Sequence, residues 1–149
     1  NLVTWQRAGG IIETGSRTDF INGLAKATLT PAIRQQTHAQ LDVAYESACH
    51  YILARDITGI LLAGLAVADY ANAQTHLAAY STPEGMAVCA ATGLINFWHK
   101  QALAQGIKYL DFGNLWRPGD PKEWRGFAEF KRNFGPLEIY IEGAYYRLF

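Results

Sequence analysis

Helical spacing of apolar residues marks the first third of the chain. In the string "SRTDFINGLAKA" the side chains of Phe20, Leu24 and Ala27 fall on one stripe, which is typical of a helix that packs on a core. Pro31 interrupts the pattern, because proline has no N–H for a helical hydrogen bond, and the pattern resumes over Ala32–Ala44. We therefore predict two helices, or one kinked helix, within residues 16–48.

Strand patterns lie on both sides of this helical part. The opening string "LVTWQRAGGIIETG" predicts two short strands over residues 1–15, joined in a hairpin at Gly9 and Gly10, because glycine accepts the positive φ of a tight turn. Further on, "ACHYILARD", "GILLAGLAVADY" and "THLAAYS" are apolar runs separated by turn-prone residues, and they predict an antiparallel meander. The middle run is apolar at nearly every position, which indicates cover on both of its faces.

A further helix and strand follow the meander. The string "ATGLINFWHKQALAQG" predicts a helix that Gly106 ends as the first residue beyond its cap. Its buried stripe consists of Leu94, Ile95, Trp98 and Ala102. A helix between two strands forms a crossover, so "THLAAYS" and "IKYLDF" should lie parallel and adjacent. The string "GFAEFKRNF" predicts a short helix, and "LEIYIEGAYYRLF" predicts a closing strand or a hairpin around Gly143.

These elements predict an α/β (α+β) fold with a mixed, mostly antiparallel sheet and helices on both faces. The chain has 149 residues, of which half are apolar, so it fits one domain with a substantial core. We therefore expect a single domain over residues 1–149.

Composition narrows the functional classes. Thirteen basic and thirteen acidic residues cancel, so no global field attracts the protein to nucleic acid or to a membrane, and any anion site must be local. The longest apolar run, Ile60–Ala68, is too short to cross a bilayer, and no charged-then-apolar leader opens the sequence. Cys49 and Cys89 share no metal-like spacing and are expected to be buried free thiols, which suits a reducing cytoplasm. No metal site can be assembled.

The order of elements, with a meander, a crossover helix and a strand ending in "YLDFG", resembles the GNAT N-acyltransferase fold. The string "HKQALAQGIKYLDFGN…GFAEFKRNFG" resembles in particular a lobe of the Fem-type aminoacyltransferases. The matching residues are Ala102, Gly106, Asp111, Phe112, Gly113, Gly126, Phe127, Phe130, Lys131, Phe134 and Gly135. The resemblance implies amide formation on an amine-bearing small molecule or peptide, with residues 49–149 as the core of the fold. Acetyl-CoA or a longer acyl-CoA is the implied co-substrate, with no tightly bound cofactor, and aminoacyl-tRNA is the other implied donor.

Three departures from the family pattern keep alternatives open. Where acetyl-CoA-dependent members have a Gly-rich turn that binds pyrophosphate, this chain has "STPEGMAVCAATG", which predicts a degenerate site or none. The tyrosine that often protonates the leaving thiolate is replaced by Phe130. Fem-type enzymes usually pair two lobes, and this chain has room for one. It therefore forms a homodimer, has lost the reaction, or performs a simpler one.

Candidate residues follow from this resemblance. Lys131, whose stem two aromatic residues can fix, and Arg132 are candidates to meet a phosphate or carboxylate. Acidic residues are interleaved with the basic ones here, so most of these charges are expected to form ion pairs on a solvated face. Asp111 is a candidate base, although a cap on the following turn is the favoured role. Asn114 is a candidate donor-binding residue, and turn formation is an equal alternative.

The fourth predicted strand, "THLAAYS", supplies the other candidates. Tyr80 and His76 are four residues apart, so their side chains are expected on the same face, and both are candidate catalytic groups. For His76 a structural hydrogen bond is the commoner alternative. Tyr80, Ser81 and Gly85 are the candidates for contact with the donor, and backbone N–H groups where the fourth and fifth strands part are candidates for the oxyanion site.

Three hypotheses for the function stay open from the sequence. The first is a Fem/GNAT-type acyl- or aminoacyl-transferase, in which a Lys131→Ala variant should lose transfer and keep its fold. The second is a catalytically silent binding or scaffold domain on the same fold. The third is an acetyl-CoA-dependent N-acetyltransferase.

Overall fold

The computed structural model describes residues 1–44, 48–120 and 122–139. It contains six α-helices, five strands and one 3-10 helix within those residues. The helices are α1 Leu2–Arg7, α2 Arg17–Leu24, α3 Pro31–Val43, α4 Pro83–Ala87, α5 Ala90–Ala104 and α6 Arg125–Arg132, and the 3-10 helix is Lys122–Trp124. The strands are β1 Ile11–Gly15, β2 Cys49–Arg55, β3 Leu61–Tyr70, β4 Ala73–Ser81 and β5 Tyr109–Asp111.

The five strands form one mixed sheet in the order β1-β2-β3-β4-β5. The pairs β1–β2, β2–β3 and β3–β4 are antiparallel, and β4–β5 is parallel. The predicted meander, the crossover through α5 and the parallel fifth strand are therefore confirmed. The closing strand or hairpin predicted around Gly143 lies outside the described residues, except for its first residues up to 139, which form no strand.

Helices cover both faces of the sheet, as the mixed pattern predicts. On one face, α2 contributes Phe20 and Leu24 to a buried cluster with Tyr51 and Leu53 of β2. The neighbouring residue Ile52 points the other way and is buried on the face that α5 covers. Because α2 and α5 press on opposite faces, the first seven residues of β3 are all buried.

The beginning of the chain differs from the prediction. Residues 2–7 form helix α1, so the expected hairpin over residues 1–15 is wrong, and β1 pairs instead with β2, far along the chain. Trp5 gives the physical reason: its indole is buried between Gly10 and Gly93 of α5, where a Cβ at either glycine would overlap the ring. Gly9 does have the positive φ expected of it, but it ends α1, with its N–H donating to the Gln6 carbonyl.

The two helix ends predicted from proline and glycine are confirmed. Pro31 is the first residue of α3, and the Thr30 side chain caps it by accepting a hydrogen bond from the Ile33 N–H, so residues 16–44 hold two helices. At the end of α5, Gly106 has a φ of +73°, and the Ile107 N–H donates to the Ala102 carbonyl. This is the pattern of a glycine-terminated helix.

The contacts within the chain divide it into two units, Asn1–Gly113 and Asn114–Phe149. The first unit contains the sheet with α1 to α5, and the described part of the second contains the 3-10 helix and α6. No helix in the described residues is both long and apolar enough to cross a membrane.

Candidate active site

Strands β4 and β5 pair over only three residues and then part. The paired positions are Ala73 with Tyr109, Gln74 with Leu110, and Thr75 with Asp111. Strand β4 continues to Ser81, so its last six residues lack a strand partner on the side opposite β3 within the described part of the chain. Such an edge presents backbone N–H groups that can bind a carbonyl oxygen or an extended ligand.

A β-bulge interrupts β4 at this point and changes which face its side chains occupy. Ala78 pairs with Ala66 and His76 pairs with Val67, which leaves Leu77 as the extra residue. Ala78 and Tyr80 are buried in the cluster that α2 covers. His76 pairs with Val67, whose side chain points to the opposite face from Ala66, so His76 lies on the face that α5 covers. The prediction that His76 and Tyr80 share a face is therefore wrong, because one extra residue inverts the alternation.

Both the ring and the hydroxyl group of Tyr80 are buried. Its side chain is 2% exposed and packs edge-on against Phe20. The hydroxyl lies where a Cβ of Gly23 would stand, and one edge of the ring lies where a Cβ of Gly64 would stand. The hydroxyl has no hydrogen-bond partner within the described residues. Burial raises the pKa of Tyr80 to about 12, so the phenol stays protonated across the range in which enzymes work.

Asp111 has the capping role that its sequence position favours. Its Oδ1 accepts a hydrogen bond from the Gly113 N–H at 2.7 Å, and Gly113 has a φ of +69°. This turn ends β5 immediately after its last paired residue. The carboxylate is exposed. Its second proposed role, as a base, stays a prediction.

The segment after β4 forms a short helix, α4, that the sequence analysis missed. Thr82 caps it by accepting from the Gly85 N–H, and Pro83 is its first residue. A threonine followed by Pro-Glu is a signal for a helix start, and it predicts this helix in retrospect. Gly85 is needed for packing, because a Cβ there would lie 2.0 Å from the Leu62 carbonyl oxygen.

The amides of this segment are largely used within it. The Met86 N–H donates to the Thr82 carbonyl, the Val88 N–H to Glu84, and the Cys89 N–H to Met86. A Gly-rich turn would instead direct such groups at a pyrophosphate. The expectation of a degenerate phosphate site, or none, stays a prediction, and the feature of this segment that favours an anion is the positive end of the α5 dipole.

Cys89 precedes α5 and has a backbone conformation that glycine adopts more easily. Its φ is +58°, in the left-handed region, and its carbonyl accepts from the N–H groups of Thr92 and Gly93. Neither Cys49 nor Cys89 forms a disulfide within the described residues, as expected, but both are half-buried and not buried as the sequence predicted. The left-handed position lies at the N-terminus of α5, where a phosphate-binding turn would require its glycine.

We expect Cys89→Gly to raise the free energy of unfolding by about 1 kcal/mol, because glycine removes the strain of a left-handed residue that has a Cβ. Cys89→Ala is the matched control, since it removes the sulfur and keeps the strain. Urea denaturation of the three proteins measures the effect. Equal stabilities of the glycine and alanine variants would show that this strain is negligible.

A buried amide, also missed from the sequence, links three elements where the strands part. Gln74 is 4% exposed; its Oε1 accepts from the Trp98 indole N–H at 2.8 Å, and its Nε2 donates to Asp69 Oδ1 at 2.8 Å. Nε2 also lies 3.4 Å from the Gln105 amide oxygen. The other carboxylate oxygen of Asp69 pairs with His50 at 2.7 Å. Its sequence signal is weak, because Gln74 stands among the turn-prone residues before "THLAAYS", whereas β4 already begins at Ala73.

The second unit contains the remaining candidates. Lys131 Nζ donates to the Asn114 main-chain oxygen at 3.0 Å, so the ammonium ties α6 to the loop that follows the first unit's last residue. Arg132 pairs with Glu138, and Arg125 pairs with Glu129. The predicted ion pairs are therefore confirmed for Arg125 and Arg132.

The candidate residues of the first unit therefore lie in two separate groups and do not form one cluster. Tyr80 and Ser81 lie at the end of β4, while His76 and Asp111 lie where β5 leaves it, roughly 15 Å away by strand geometry. Within the described residues no group of three or more His, Cys, Asp or Glu side chains could hold a metal ion.

Several solved structures with this architecture are N-acetyltransferases, and one, from Bacillus halodurans C-125, is a transcriptional regulator. No protein-family model and no curated protein matches the sequence. Among solved structures, the aminoglycoside antibiotic 6'-N-acetyltransferase AAC(6')-Ih from Acinetobacter baumannii has a TM-score of 0.56 at 16% identity, with 94% of this chain and 98% of that chain covered. AAC(6')-Iy, in complex with the bisubstrate analog CoA-S-monomethyl-acetylneamine, has a TM-score of 0.56 at 11% identity, with coverages of 93% and 97%.

A third similar structure is the ribosomal-protein-S18-alanine N-acetyltransferase from Escherichia coli. Its TM-score is 0.55 at 10% identity, with 68% of this chain covered. This chain spans 64% of the length of that enzyme. The comparisons establish that the chain has the GNAT fold, and at these identities they establish the fold alone. The finer resemblance to Fem-type enzymes stays a prediction.

Proposed function

We propose that this protein is an acetyl-CoA-dependent N-acetyltransferase that acylates a primary amine. The observation that carries the proposal is the parting of β4 and β5 after Thr75 and Asp111 in a sheet of GNAT order. Beyond Thr75, β4 has no strand partner on this side among the described residues, and its backbone there can accept an extended thioester chain along its edge. Its N–H groups can also stabilise the oxyanion that forms when an amine attacks the thioester carbonyl.

The proposed chemistry forms an amide bond and breaks the thioester. The amine nitrogen attacks the acetyl carbonyl, the C–S bond breaks, and CoA leaves as thiolate or thiol while the nitrogen loses a proton. His76, at the first position of β4 beyond the paired segment, is the proposed proton acceptor. Phe130 cannot protonate the thiolate, so solvent supplies that proton in this proposal.

Each of the two units has its own candidate source of positive charge for the donor, and each is proposed by itself. The N-terminus of α5 carries the positive end of a dipole over 15 residues, without a side-chain cap. Lys131 and Arg132 are proposed as donor-binding residues, Asn114 as a donor contact, and Tyr80, Ser81 and Gly85 as the residues that border the donor. Since the α4 amides are used internally, we expect weaker affinity for CoA than a Gly-rich turn would provide.

Acetyl-CoA binding by calorimetry, followed by an acetylation assay on a panel of small-molecule and peptide amines, tests the proposal. Saturable binding and a CoA-releasing reaction are the expected results. An absence of binding to acetyl-CoA and longer acyl-CoA, together with a thermal shift by aminoacyl-tRNA, would favour the Fem-type alternative. No response to any of these donors would favour a binding or scaffold domain.

Lys131→Ala is expected to lower kcat/KM for acetyl-CoA at least tenfold, because it removes a positive charge and the bond to the Asn114 carbonyl. Lys122→Ala is the matched control, since Lys122 is an exposed lysine in the same unit. Steady-state kinetics of both variants measure the effect. Equal values for wild type and Lys131→Ala would remove Lys131 from the donor site.

A further inference from the structure

The aromatic contact that follows β5 gives a specific reason why the two strands part. Phe112 comes directly after the last paired residue of β5 and lies against Trp98 of α5, with the ring centroids 5.4 Å apart. It also meets His99 edge-on, at 5.7 Å. Burial lowers the pKa of His99, so the imidazole that contacts Phe112 is neutral near pH 7 and acts as a packing surface.

The partner of Phe112 is held in a fixed orientation. Trp98 is fully buried, and its indole N–H is bound by Gln74 of β4, one of the three residues that pair with β5. A hydrogen-bonded indole in a close-packed site keeps one rotamer. The ring on which Phe112 rests is therefore fixed relative to β4 itself.

The next position of a continuing ladder would be crowded. Parallel pairing beyond Thr75 and Asp111 would place Phe112 beside His76, and the bulge puts His76 on the α5 face as well. Trp98 and His99 of α5 already contact Phe112 on this face. With His76 beside Phe112 on this face, continued pairing would disturb the contacts that Phe112 makes with Trp98 and His99.

We infer that Phe112, held against Trp98 and His99, is a positioning residue that keeps the departing end of β5 away from β4 and so keeps the gap between the strands open. Gln74 acts indirectly, because its hydrogen bond fixes the orientation of Trp98. Part of this inference rests on the proposed function, namely that the gap holds the acetyl donor. The structural part, that Phe112 separates the strands, stands without it.

Amide hydrogen exchange tests the structural part without any ligand. In Phe112→Ala we expect at least tenfold slower exchange at those N–H groups of His76–Ser81 that point away from β3, because β5 can then extend its pairing along β4. Tyr109→Ala is the matched control: it shortens an aromatic side chain of the same strand within the paired segment, where the side chain is 64% exposed. Unchanged or faster exchange in Phe112→Ala would overturn the inference.

Donor affinity then tests the functional part. We expect Phe112→Ala to raise the Kd for acetyl-CoA at least tenfold, Tyr109→Ala to leave it within twofold, and Phe112→Tyr to restore it, since a tyrosine keeps the ring. A loss of affinity with unchanged exchange would contradict the mechanism. If the wild type does not bind acetyl-CoA, the proposed function fails, and the exchange data still decide the role of Phe112.

A second variant covers the case in which Phe112→Ala fails to fold. Trp98→Phe keeps an aromatic surface for Phe112 and removes the indole N–H that Gln74 binds. Relative to the amides that pair β2 with β3 in the same variant, which report its general loss of stability, we expect the same β4 amides to slow by a smaller factor, between twofold and tenfold. Exchange rates equal to those of the wild type would show that Gln74 does not act on the gap through Trp98.

Discussion

Replacing Tyr80 with Phe is expected to stabilise the protein, by about 1 kcal/mol at pH 7. The hydroxyl is buried without a partner within the described residues, and an unsatisfied buried hydroxyl costs about 1–3 kcal/mol. Phenylalanine keeps the ring and its edge-on contact with Phe20, so little packing is lost. Urea denaturation of both proteins measures the difference.

The advantage of Tyr80→Phe should grow in alkaline solution. A group whose pKa is raised by folding contributes stability that is complete below its unfolded pKa, near 10 for tyrosine, and is lost as the pH rises through the folded value, about 12. Between pH 10 and 12 the wild type should therefore lose about 3 kcal/mol more than the variant. Tyr70→Phe is the control, because Tyr70 is 78% exposed and its hydroxyl is solvated in both states.

A wild type more stable than Tyr80→Phe at pH 7 would mean that the hydroxyl has a partner after all. The same variant also tests the proposed role of Tyr80 at the donor. A large loss of transfer in a protein that has become more stable would support that role, since functional groups are often kept at a cost to stability. Unchanged transfer would reduce Tyr80 to packing.

Tyr80 also shows why part of the site could not be predicted. Strand alternation over four residues is a sound rule, and it failed between His76 and Tyr80 because Leu77 is bulged. A bulge depends on how the partner strand bends, and a single sequence has no local signal for it. The role of Asp111, by contrast, could be predicted. It caps the turn at Gly113, and both partners lie within three residues of each other in the sequence.

The difference between short-range and long-range interactions also explains which parts of the fold could be predicted. Periodicity and turn residues predicted the meander, α5 and the crossover, since each depends on the local order of apolar and polar residues. The hairpin over residues 1–15 failed because Trp5 binds against Gly93, almost ninety residues later, and that contact favours a helix over the strand. Long-range contacts of this kind override weak local preference.

The role of Gln74 also depends on long-range contacts. It joins β3 through Asp69 and α5 through Trp98 at the base of the gap between β4 and β5. All of its polar atoms have partners, and a fully satisfied buried network fixes one arrangement of the elements around it. The network therefore belongs to the site as its support, even though none of these side chains was a candidate.

We expect Gln74→Leu to lower the free energy of unfolding by about 3 kcal/mol, because it leaves the Trp98 indole N–H and one Asp69 oxygen without their partner. Trp98→Phe should cost a comparable amount, since it leaves the Gln74 oxygen unpaired and shortens the largest buried side chain. The double variant should be about 1–2 kcal/mol more stable than the sum of the two changes predicts, because each loss already removes the shared bond. Gln105→Leu, at an exposed helix end with a contact of 3.4 Å, is the control and should change stability by less than about 0.5 kcal/mol. Strict additivity of Gln74→Leu and Trp98→Phe would show that the two side chains act separately, and that Gln74 does not set the orientation of Trp98.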